Sequence, residues 1–314
     1  MAIIDTFRGI LPAMQVPFSP DYSIDEPELR RFTAWLGGHK GIGGLVTNGH
    51  TGEVFALSPK ERAEVTRIVA EAIDGKLPVI SGLCCEGINE AVEHAQMAKK
   101  AGASGLLVMP PHTWLRFGMR EEHVLAYFSA IGEAVDINLV VHVYPAWSKA
   151  RYSSKLLADL AQLPWVTTFK VGTREMSKYD RDILAIRAAD ENCTILTCHD
   201  EYLLASMVQG VDGALVGFAS FIPEMITALY KAVQDGDLKT AQTIQRGIFP
   251  LKEVVYGQGE PTGDAHSRMK TAMLISGRFK ANTVRPPTKQ PEGEEHERIV
   301  AAVRNAGLLG KDAV

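Results

Sequence analysis

The feature that most limits what this chain can become is a recurrence. Eight short apolar segments, rich in β-branched residues, fall at 10–15, 44–47, 78–82, 105–109, 138–142, 166–170, 194–197 and 214–217. Short apolar runs of this kind suit strands covered on both faces. Their spacing is mostly ~27–35 residues, the length of one strand–helix unit with its loops. Ser58-Pro59-Lys60-Glu61 reads as a helix start with a capping box and proline at the first position. Behind it Val65, Ile68, Val69 and Ile73 share one helical face. Similar patterns run through 91–101, 121–135, 154–163 and 182–189, with Gly102 and Gly132 expected at helix boundaries. Strands alternating with helices make a parallel sheet, either open or closed. Eight units, and no GxGxxG turn after the first strand, favour a closed (β/α)8 TIM barrel, which a chain of 314 residues can supply.

Beyond Ala219 the pattern is helical, at 224–234, 238–256, 267–276 and 294–306, with Pro286, Pro287 and Pro291 parting the last two. The expected organisation is a barrel core over 1–222, then a closing helix and C-terminal helical extension over 223–314, packed on the barrel as one structural domain.

Composition excludes several classes. A net charge of −4 lacks the basic balance of a general nucleic-acid binder. No stretch reaches the ~20 apolar residues of a membrane span, and residues 1–9 carry Asp5 and Arg8 with no apolar run of signal-peptide length. A cytoplasmic protein is expected. Cys84, Cys85, Cys193 and Cys198 show no CxxC spacing and read as reduced, buried thiols.

In such a barrel the chemistry gathers at the C-terminal ends of the strands. There the sequence places Asn48 to Glu53, Pro110 to Thr113, His142 to Pro145, Lys170, and Cys198 to Glu201. Strand alternation puts Val166, Thr168 and Lys170 on one face. A lysine ending an apolar strand loses water around its charge, which lowers its pKa and frees a nucleophilic amine. The same lysine could instead snorkel to solvent or pair with an acid. The Gly49–Glu53 stretch offers small residues and backbone N–H groups able to hold a carboxylate, though its composition also fits a plain turn. His142 and Tyr144 face one side of their strand and could move protons beside the lysine, or serve as hydrogen-bonded core residues.

Together these residues resemble the dihydrodipicolinate synthase / N-acetylneuraminate lyase family of class I aldolases and dehydratases. The resemblance runs from Ala13-Met14-Gln15-Val16-Pro17-Phe18 through Gly49-His50-Thr51-Gly52-Glu53 and Leu57-Ser58 to Lys170, and on to Gly213-Ala214-Leu215-Val216-Gly217. It implies a barrel with a C-terminal helical bundle, assembled as a homotetramer and needing no cofactor or metal. It makes Lys170 the Schiff-base lysine for a 2-keto acid of the pyruvate type. It also implies that His50, Thr51 and Gly52 hold the keto-acid carboxylate, and that Leu215 lines the pocket. Four departures stand out. His142 takes the place of the family's catalytic tyrosine, three residues before Pro145, with Tyr144 as a substitute. His112 replaces the second relay tyrosine, and His50 the first hydroxyl residue of the loop. Trp147 stands where the synthase has an arginine for its aldehyde's carboxylate.

The expected reaction is aldol cleavage or dehydration through a Lys170 imine, with His142 (or Tyr144) shuttling the proton because an imidazole titrates near neutrality. Synthesis in the lysine pathway is not expected. Two rivals remain: a metal-dependent aldolase or hydrolase using His50, His112, His142, His199, Asp200 and Glu201, and a non-catalytic keto-acid-binding homologue.

Overall fold

Each of the eight apolar segments forms a strand. These are β1 (Gly9–Pro12), β2 (Leu45–Thr47), β3 (Val79–Leu83), β4 (Gly105–Val108), β5 (Asn138–Val143), β6 (Val166–Val171), β7 (Thr194–Thr197) and β8 (Gly213–Val216). The structure, a computed structural model, describes residues 7–144, 148–257 and 263–310. All strand pairs are parallel, in the order β1-β8-β7-β6-β5-β4-β3-β2. The parallel bridges Ile10↔Ile42 and Ala13↔Val46 bring β1 back to β2 and close the ring.

Parallel strands buried on both faces need two apolar layers, and both are present. The inner one holds Leu11, Val46, Ile80, Leu107, Val140 and Leu196, with Leu215. The outer layer, between strands and helices, takes Val141, Val143, Phe169, Val171 and Ile195. The capping box at Ser58 is formed at the start of the helix Pro59–Ile73, with its proline in the first turn.

Two local expectations are corrected. Val166 does not share a face with Lys170. Leu139 pairs with Val166 and Val140 with Thr168, so Thr167 is an extra residue that resets the alternation. Val166 therefore packs in the outer layer, while Thr168 and Lys170 turn inward. Gly132 is not a helix boundary but lies within the helix Glu121–Val135. A Cβ there would sit 2.3 Å from the Trp165 ring, so glycine is required for close packing. The turn falls to Asp136, whose φ is +47°.

The C-terminal part supplies the helices Pro223–Gln234, Leu238–Val255, Ala265–Ile275 and Gly293–Asn305. It is tied to the barrel by charges. Lys270 pairs with Glu53. Arg285 pairs with Glu61 at 2.5 Å and donates to the carbonyls of Tyr22 and Ala56. No described helix is long and apolar enough to cross a membrane.

Candidate active site

At the C-terminal ends of the strands lies a cavity of about 610 Å³. Its floor is set by β-strand register. His142 on β5 and Lys170 on β6 are direct partners, and Lys170 is in turn the partner of Leu196 on β7. Strands stand ~4.8 Å apart, so imidazole and amine enter the barrel mouth side by side. Lys170 lines the cavity with intermediate exposure and makes no ion pair among the described residues. Burial lowers its pKa. Cys198 and Asp200 pull the other way, while Arg174 adds to the lowering.

His142 is 6% exposed, and its Nδ1 has no partner. Burial above all, then the charge of Lys170, hold its pKa well below the usual imidazole range. Burial thus shifts the imidazole away from the near-neutral titration expected of it and makes it a weaker base. Tyr144 follows directly, with its ring 4.7 Å from His142 and its Oη bonded to His50 Nε2 at 2.7 Å. His50 keeps an exposed edge at the rim, where water counters the desolvation that lowers its pKa.

The loop that carries Thr51 is fixed from beneath. Asn48 adopts φ +55°, and its Nδ2 donates to Arg62 O at 2.8 Å and to Thr66 Oγ1 and Ser81 Oγ at 3.0 Å each. Thr51 and Leu215 line the cavity. Gly52 does not; its N–H donates to Gly49 O, and it closes the turn behind Thr51. His112 is likewise outside the lining. It sits at the rim, pairs with Glu86 at 3.0 Å and packs on Phe55. Trp147 lies outside the described residues.

Sequence reasoning missed Arg174, Tyr256, His266, Met269 and Arg285, all of which line the cavity. Asp200, weighed only as a metal ligand, lines it too and is buried, with its pKa pushed up to about 6 by desolvation against the hydrogen bonds it accepts. The strand-end histidines do not converge as ligands. His199 turns away to Thr197 and Tyr202, and His112 to Glu86. Among the described residues the trio with metal-ligand spacing is Cys85, Glu90 and His94, away from the cavity lining.

Comparison with known proteins agrees with this architecture. Residues 6–306 match the model of the dihydrodipicolinate synthetase family. An uncharacterized DapA-like lyase of Thermofilum pendens is 30% identical over 307 residues, covering 96% of this chain and 98% of the relative. A 4-hydroxy-tetrahydrodipicolinate synthase of Bartonella bacilliformis is 30% identical over 308 residues, covering 96% and 99%. Among solved structures, the E. coli K12 prophage protein YagE, in complex with pyruvate, superposes with a TM-score of 0.87 at 23% identity, covering 96% of this chain and 99% of that one. The dihydrodipicolinate synthase of Thermotoga maritima gives the same TM-score and identity, covering 97% and 100%. The chain is an enzyme, a class I lyase, and belongs to the dihydrodipicolinate synthetase family.

Proposed function

We propose that Lys170 forms an imine with a 2-keto acid and that the enzyme acts at the C3–C4 bond or the C4 hydroxyl of that adduct. The observation that carries this reading is an amine on the cavity floor, lowered in pKa by burial and held by no carboxylate. The neutral amine attacks C2, and the C2 oxygen leaves as water. The protonated imine then draws electrons from C3. Thr51, with the backbone N–H groups of its loop, holds the keto-acid carboxylate. His142, neutral and with a free ring nitrogen, orients the group at C2.

The distal half of the substrate is neutral in this proposal. Around the cavity Arg174 pairs with Glu201 at 2.5 Å, Arg285 with Glu61, and Lys270 with Glu53. A second carboxylate would have to share a cation that already holds one. Phe55, Ala56, Ala265, Met269 and Pro286 offer an apolar wall instead. A pyruvate aldolase, or a dehydratase of a 2-keto-3-deoxy acid, is thus favoured over the lysine-pathway synthase. Assembly as a homotetramer, and the folding of barrel and C-terminal helices as one domain, belong to the same proposal.

Incubation with pyruvate and cyanoborohydride tests it. Peptide mass analysis is expected to find one reduced pyruvyl group on Lys170. An unmodified Lys170 at saturating pyruvate would overturn the scheme.

A further inference from the structure

Burial makes His142 a weak proton acceptor, and the Tyr144 hydroxyl is engaged with His50. A second constellation in the same cavity supplies another acceptor. Tyr256 follows the helix Leu238–Val255, is 7% exposed, and packs its ring 5.1 Å from that of Phe218. Its Oη donates to Asp200 Oδ2 at 2.9 Å. The same carboxylate accepts from Gly217 N at 3.0 Å and Phe218 N at 2.9 Å, so three donors fix it. A Cβ built on Gly217 would lie 2.6 Å from Tyr256 Oη and 3.2 Å from Thr51 Oγ1. The bare glycine thus lets both hydroxyls crowd over one point of the backbone beyond β8. Tyr256, Asp200, Thr51 and Lys170 line one cavity. A phenol has a single proton, here given to Asp200, so Tyr256 Oη turns only lone pairs toward a ligand. It is an acceptor for a substrate hydroxyl.

We propose that Tyr256 and Asp200 are the proton relay for the C4 hydroxyl of a 4-hydroxy-2-keto acid held as an imine on Lys170. This rests on the Schiff-base reading above and makes aldol cleavage, not dehydration, the reaction of this site. The C4 O–H proton passes to Tyr256 Oη as the phenol proton passes to Asp200 Oδ2. The O–H electron pair becomes the second C4–O bond. The C3–C4 pair becomes a C2=C3 double bond, and the C=N pair returns to nitrogen. A neutral aldehyde leaves. Asp200 gives the proton back through Tyr256 to C3 of the enamine, and one water then releases pyruvate and the amine.

Near-neutral titration of Asp200 suits a group that must take and return a proton. The titratable groups facing it are Glu201 beside it, Tyr256 from the C-terminal helices, Cys198 and Lys170; His199 turns away. Since the relay needs the carboxylate, cleavage is expected to rise with pH through about 6.

Tyr256→Phe keeps the ring and its packing on Phe218 while removing Oη. Trapping of pyruvate on Lys170 is expected to persist. The kcat for cleavage of 4-hydroxy-2-keto acids with alkyl, aryl or polyhydroxy groups at C4 is expected to fall about 100-fold with KM little changed. Asp200→Asn is expected to lose the acid limb near pH 6 as well. Because an asparagine amide can confront the backbone N–H groups and misfold, the phenylalanine variant carries the test. Wild-type kcat and acid limb in Tyr256→Phe would overturn the relay. So would a parallel loss of trapping and cleavage, or a wild-type enzyme that traps pyruvate yet cleaves none of the panel. A wild-type enzyme in which Lys170 is not trapped fails at the earlier step and takes the relay with it.

Discussion

Lys270 and Glu53 are a buried ion pair whose two halves should respond unequally to removal of the partner. Lys270 is fully buried and Glu53 4% exposed. The ammonium also donates to Thr283 O at 2.9 Å and lies 4.3 Å from the centre of the Phe18 ring. Burial pushes its pKa down to about 8, with Glu53 opposing. At pH 7 the ammonium is then favoured over the neutral amine by one pH unit, about 1.4 kcal/mol. Glu53→Gln therefore costs no more than about that through the lysine. Lys270 can shed its proton and still donate to Thr283. Lys270→Met has no such escape, because it takes the ammonium away from a carboxylate that is itself buried. Its cost is about 3–5 kcal/mol, the usual price of stranding a buried charge.

With roughly 2 °C of melting temperature per kcal/mol for a chain of this size, thermal unfolding at pH 7 should show a fall of about 3 °C or less for Glu53→Gln. For Lys270→Met the fall should be about 6–10 °C. The sign with pH follows from the lysine. A folded-state pKa below the unfolded value of 10.5 imposes a cost that is present below the folded pKa and relieved as pH rises. At pH 9 the wild type has also lost its ammonium, so the Glu53→Gln deficit should vanish. Equal losses for the two variants at pH 7, or a Glu53→Gln deficit that widens at pH 9, would refute the reasoning.

Two further outcomes are expected. Gly82→Ala would set a methyl 2.0 Å from Asn48 O and 3.2 Å from Gly49 N, forcing back the loop that carries His50 and Thr51. Stability should fall by about 1–3 kcal/mol, and KM for the keto acid should rise about tenfold; an unchanged KM would separate that loop from carboxylate binding. Cys198 lines the cavity, and burial raises its thiol pKa against the opposing charges of Lys170 and Arg174. Its alkylation, followed by peptide mass, should be slow at pH 7.5 and slower still with pyruvate present. Labelling indifferent to pyruvate would move the keto-acid site elsewhere.

The barrel was legible because its physics is local. A strand buried on both faces must read as a short apolar run, and all eight runs are strands. Lys170 stood out for the same reason, as a charge at the end of such a run, and so did the Ser58 capping box. The misreadings arose where a distant contact decides. Thr167 looks like any strand residue until β5 imposes its register. Gly132 resembles a helix stop until Trp165 is seen to occupy the space of its side chain. Alternation put His142 beside Lys170, but the titration of the imidazole depends on an enclosure built by several loops. Tyr256 is 56 residues from Asp200 and ends an ordinary amphipathic helix. Nothing in its surroundings along the chain marks it. Lys270 gave a faint signal, since the helix Ala265–Ile275 is buried on more than one side and carries its charge among those positions.

The C-terminal segment is therefore part of the enzyme's choice of guest. Tyr256, Ala265, His266, Met269, Arg285 and Pro286 all reach the cavity from outside the eight strands, and Arg285 clasps Tyr22, Ala56 and Glu61 from the opposite end of the chain. A barrel trimmed of these helices would retain its amine but face open solvent. Conversely, under the proposed chemistry, replacements among these few positions would change which substrate is admitted while leaving the strand register, and with it Lys170, where it is.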